Sequence, residues 1–128
     1  MKTLIVDSSL QIIKRWVEML SETENLLSIH KAVSYNEATK IFKENKPDVV
    51  LLDLGLPLSK SFDLIWEMKN LDPATIIIVL AIHTDSATQE QSIELGADFF
   101  FDKYNDFEQI PGLVDAIAAK KKENRKTG

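Results

Sequence analysis

The chain has 128 residues, enough for one domain with a single core, and its 45% hydrophobic and 27% charged composition leaves disorder no support. A net charge of −5 and a pI near 5.0 exclude a nucleic-acid surface covering the body of the domain. The absence of cysteine excludes disulfides, thiolate metal sites and cysteine nucleophiles, which fits a cytoplasmic protein. The apolar run Leu4-Ile5-Val6 is too short for a signal peptide. The longest such run, residues 76–82, falls far short of the ~20 residues that span a bilayer, so no membrane partner is expected.

In chain order, residues 4–6 predict a first strand ending at Asp7. Leu10, Ile13, Val17 and Leu20 then fall at helical spacing and define one apolar stripe. Residues 26–32 suit a second strand, and Tyr35, Ala38, Ile41 and Phe42 mark a second helix. Residues 49–54 form a third strand, continuous and β-branched as a strand covered on both faces should be, with Asp53 near its end. Phe62, Ile65, Trp66 and Met68 mark the third helix, with Trp16 and Trp66 both expected in packing. Residues 75–82 give a fourth strand, residues 87–95 a short helix ended by Gly96, and residues 99–101 a fifth strand. Phe99 and Phe101 are expected in the core, with Phe100 alternating to the other face. After a turn at 106–109, Pro111 opens the last helix, whose stripe is Leu113, Val114, Ile117 and Ala118. Ser8 with Gln11, Ser34 with Glu37 and Ser86 with Gln89 fit the capping-box pattern. Lys120, Lys121, Lys122, Arg125 and Lys126 read as a solvated helix end whose cations complement the helix dipole.

Five β-α repeats predict an α/β fold, a single-domain doubly wound, flavodoxin-like, five-stranded parallel sheet over residues 1–122, with a basic tail at 123–128. Ligands of such sheets sit outside the carboxyl ends of the strands. Asp7, Asp53, residues 81–83 and Lys103 all fall there. Two neighbouring carboxylates call for a divalent metal or a lysine, and Mg²⁺ suits a site with few protein oxygens. A carboxylate nucleophile, a hard metal and a lysine make a phosphoryl-transfer site.

The segments Leu4-Ile5-Val6-Asp7, Pro47 to Pro57 around Asp53, and Gly96-Ala97-Asp98 leading to Lys103 together resemble the response-regulator receiver (CheY-like) domains of two-component signalling. The resemblance spans the whole chain. It implies that Asp53 accepts phosphate from a sensor histidine kinase or a histidine phosphotransfer protein, and that Lys103 contacts the phosphoryl group. It further implies that Asp7, Asp53 and the Gly55 backbone carbonyl hold Mg²⁺, and that Phe100 lies on the switch and partner face. His83 occupies a position that modulates aspartyl-phosphate lifetime in the family. A downstream protein target, a cytoplasmic location and a homodimer through the fourth and fifth helices are also implied.

Three departures from the family pattern stand out. Ser8 replaces the second of two consecutive acids, which predicts weak Mg²⁺ binding; disturbing even outer-shell partners costs about 10–100-fold in metal affinity. Ala81 replaces a Thr or Ser, removing a hydrogen bond to a charged group worth about 1.5–3 kcal/mol. Tyr104 replaces a Pro after the lysine, so a trans bond is expected there. The leading reading is a stand-alone phosphoacceptor receiver rather than an enzyme. The second is a degenerate receiver that docks partners without phosphorylation. A haloacid-dehalogenase-like phosphatase would want an acid at Gly55, and an FMN protein would want a glycine in the loop at residues 7–10. No helix-turn-helix supports DNA binding.

Overall fold

A computed structural model describes residues 1–22, 25, 28–82 and 84–127, with side chains through residue 124. Five strands are described: β1 (Lys2–Val6), β2 (Ser28–Ala32), β3 (Val49–Asp53), β4 (Ile76–Ala81) and β5 (Phe99–Asp102). They alternate with α1 (Leu10–Leu20), α2 (Tyr35–Asn45), α3 (Leu58–Leu71), α4 (Ser86–Leu95) and α5 (Ile110–Thr127). A 3₁₀ turn, Phe107–Gln109, leads into α5. The strands form one parallel sheet in the order β2-β1-β3-β4-β5, the predicted doubly wound fold.

Alternation along each strand sends side chains to two separate cores. Leu4, Val6, Val50, Leu52, Ile77 and Val79 pack beneath α2 and α3. Ile5, Leu51, Ile78 and Leu80 pack beneath α1 and α5, with Ile13, Trp16 and Val114. Every residue of β3 is buried, because this central strand is covered on both faces. Phe99 and Phe101 stack at 6.2 Å on the α1/α5 side, while Phe100 packs half-buried against the opposite core.

Several predicted details differ. The N-cap of α1 is Ser9, whose hydroxyl accepts from the Ile12 N–H, and not Ser8. Asp85 caps α4 in place of Ser86, accepting from the Thr88 N–H, while Ser34 caps α2 as expected. Each displaced assignment lies one residue from another good capping side chain, so local sequence could not choose between them. The buried face of α1 is Ile13, Trp16 and Leu20, and Leu10 is 69% exposed. Trp66 is also exposed, at 56%, because Leu64, Ile65 and Met68 fill the core beneath α3. Strand β4 stops at Ala81, leaving Ile82 exposed in the following loop. Among the described residues the cis peptide bond is Leu56–Pro57, and Lys103–Tyr104 is trans as expected.

Candidate functional site

The strand order reverses between β1 and β3, and the crevice opens at their carboxyl ends. Val6 is paired with Leu52, so the next residues, Asp7 and Asp53, emerge side by side. Both are buried, with 2% and 5% of their surface exposed. Lys103 comes from the loop after β5, and its backbone N–H donates to the Ala81 carbonyl at 2.9 Å. That bond aims the side chain back across the strand ends. Its Nζ lies 2.7 Å from Asp7 Oδ2 and 3.1 Å from Asp53 Oδ1.

The remaining carboxylate oxygens are held by main chain. The Ser9 N–H donates to Asp7 Oδ1 at 2.9 Å, and the Gly55 N–H donates to Asp53 Oδ2 at 3.2 Å. A Cβ at Gly55 would stand 3.0 Å from that same oxygen, so glycine lets the loop close over the carboxylate. Beneath it, the fully buried Ser61 hydroxyl donates to the Asp53 carbonyl at 3.0 Å. Sequence patterning missed both Ser61 and Ser9. A serine on the apolar face of a helix eight residues after Asp53 was the available signal for Ser61.

Burial raises the Asp53 carboxyl above its ordinary pKa, and the Asp7 charge raises it further. The Lys103 ammonium and the Gly55 N–H oppose this without cancelling it. For Lys103, burial disfavours the charge, but the two carboxylates outweigh that cost and hold its pKa up. The result is one ammonium clamping two buried carboxylates.

A hollow of about 580 Å³ opens beside Asp53, walled by Gly55, Pro57, Leu58, Ala81, Ile82 and the start of α4. Ala81 presents only a methyl group there. Thr88 lines the same hollow, but its hydroxyl donates to Asp85. Ser8 is exposed and makes no side-chain hydrogen bond to a described residue. It stands beside the site without capping α1. Phe100 packs against the core away from the carboxylates, and His83 lies outside the described residues.

Among the described residues no three His, Cys, Asp or Glu side chains converge as a metal cluster. Two buried carboxylates beside the Gly55 backbone still form an all-oxygen donor set, which fits Mg²⁺ retaining several waters. No helix among the described residues is long and apolar enough to cross a membrane.

A family model for the response regulator receiver domain matches residues 3–115. The chain belongs to this family. A protein-glutamate methylesterase/protein-glutamine glutaminase of Idiomarina loihiensis is 28% identical over 125 residues, covering 92% of this chain but 32% of that protein. Chain and relative therefore share about a third of the relative's length. A chemotaxis protein CheY of Halobacterium salinarum is 26% identical over 108 residues, covering 84% of this chain and 80% of that one. The crystal structure of a response regulator receiver domain protein from Clostridium thermocellum superposes with a TM-score of 0.78 at 26% identity, covering 98% of this chain and 96% of that one. Receiver domains are mostly signalling rather than enzymatic units, and they work with histidine kinases and downstream effectors.

Proposed function

We propose that this receiver domain accepts a phosphoryl group on Asp53 and relays it as a change in partner binding. The observation that carries the reading is the clamp of Lys103 on Asp7 and Asp53, buried at the switch point of the sheet. In the reaction an Asp53 carboxylate oxygen attacks phosphorus in line. The P–N bond of a phosphohistidine donor breaks as the O–P bond forms, and the imidazole leaves with the electron pair. Lys103 exchanges its contact with Asp53 for one with a phosphoryl oxygen, while Asp7 keeps its ammonium in place.

Asp7, Asp53 and the Gly55 carbonyl would hold Mg²⁺, which when bound neutralises charge on the phosphoryl oxygens. With Ser8 in place of a further carboxylate, that binding is weak. With Ala81 in place of a hydroxyl, no side chain at the end of β4 donates to the phosphoryl group. The acyl phosphate therefore has a weak hold on the β4–α4 loop, where His83 would tune its lifetime. Phe100 belongs to the face that carries the change to a protein target. This reading places the protein in the cytoplasm, with residues 123–128 as a basic extension and with a homodimer as one output.

Incubation with a small-molecule phosphodonor and Mg²⁺, followed by intact-mass measurement, tests the proposal. A single phosphate adduct is expected on the native chain and none on Asp53→Asn. No adduct from this donor or from a phosphorylated histidine donor would leave a phosphorylation-independent docking domain.

A further inference from the structure

A second polar feature lies away from the Asp53 site, between the start of α2, the outer face of α3 and α4. Tyr35, Phe62 and Trp66 supply three aromatic rings around a hollow of about 360 Å³, and Asp63 and Glu67 supply two carboxylates. Phe62 with Trp66, and Asp63 with Glu67, are spaced four apart on α3, so rings and acids form two adjacent rows. Trp66, turned off the core, is 56% exposed and presents its ring at this hollow. The Glu67 carboxylate lies in hydrogen-bonding reach of Tyr35 and raises the pKa of its hydroxyl, so an acid stands directly against the aromatic row. The chain's own cation already samples this chemistry, since Lys60 Nζ stands 4.9 Å from the centre of the Tyr35 ring.

We propose that this hollow is a binding site for an arginine side chain of a protein partner. A planar guanidinium stacks on an aromatic face while its N–H groups reach carboxylates, which matches the two rows of α3. Its charge also offsets the Asp63 and Glu67 carboxylates of the hollow. An ammonium satisfies the charge but not the stacking, and an apolar side chain does nothing to offset the carboxylate charge. The site uses none of the residues around Asp53, so it stands whether or not Asp53 is phosphorylated.

The test is a nuclear magnetic resonance titration of the nitrogen-15-labelled full chain with acetyl-Gly-Arg-Gly-amide. The isosteric citrulline peptide and tetramethylammonium serve as comparison ligands. Saturable shifts are expected at Tyr35, Phe62, Asp63, Glu67 and the Trp66 indole, with none from citrulline. Trp66→Ala and Glu67→Gln should each weaken binding about fivefold or more. Trp66 is exposed, so its removal should leave the remaining spectrum folded and the comparison valid. Shifts spread over other acidic surfaces, equal response to citrulline, or unchanged affinity in both variants would overturn the site. Tighter binding of tetramethylammonium than of the arginine peptide would overturn the assignment to arginine.

Discussion

Asp53 sits under opposing influences, and their balance sets how stability responds to pH. Burial and the Asp7 charge raise its pKa, while Lys103 and the Gly55 N–H lower it, and the net direction is upward. A carboxyl raised on folding binds more protons in the native than in the unfolded state. Its contribution to stability is therefore lost as pH rises from the ordinary carboxylate value, ~3.9, through the raised one. Asp53→Asn removes that loss. The variant should melt higher than the native chain at neutral pH, and the difference should shrink as pH falls below the ordinary carboxylate range. Thermal melts across that range check this, and a difference that stays constant or grows toward acid would contradict it. Ser61→Ala deletes the donor to the Asp53 carbonyl and should cost about 1 kcal/mol in denaturant unfolding. Asp7, Asp53 and Lys103 were legible in sequence because each follows or ends an apolar strand. Ser61 was not, because a single serine on an apolar helix face shows its partner only once α3 is laid on β3.

At the scale of elements, hydrophobic runs located all five strands, yet helix phases and caps were read less well. Leu10 and Trp66 fit their apolar stripes by spacing and still face solvent. Spacing names a family of faces, and only the neighbouring layer selects one. Likewise Ser8-Ser9 and Asp85-Ser86 each offer two competent caps, and the backbone direction leaving the strand decides. Ser9→Ala should therefore cost about 1 kcal/mol, with Ser8→Ala near neutral, in paired chemical denaturations. Equal losses would show that α1 has no unique cap. The end of α4 makes a sharper demand. Gly96 has φ +123°, and a Cβ there would fall 2.5 Å from Lys69 Cγ, part of the side chain that pairs with Asp98 at 2.8 Å. Gly96→Ala should cost more than about 1 kcal/mol, whereas Gly112→Ala, in α5 with nothing within 4 Å, should be neutral or stabilising. Denaturant midpoints of the two variants check this, and equal effects would contradict it.

For the whole molecule, two cores on either side of one sheet hold the strand ends rigid, and the switch point brings Asp7 and Asp53 to one crevice. That architecture was legible from the alternation of apolar runs and helical stripes. What the residues around the crevice do was less so, since Ser8 and Ala81 offer neither a carboxylate nor a hydroxyl pairing beside the Asp7–Lys103–Asp53 cluster. We propose that Asp53 accepts phosphate, with the rate limited by weak cation binding where Ser8 stands in place of a further carboxylate. The most direct test is the rate of phosphate-adduct formation by intact mass, at stepped Mg²⁺ concentrations, for the native chain beside Ser8→Asp. An adduct is expected on both, with Ser8→Asp reaching half-maximal rate at a Mg²⁺ concentration at least about tenfold lower. An adduct on neither chain, or rates on both that ignore Mg²⁺, would contradict it.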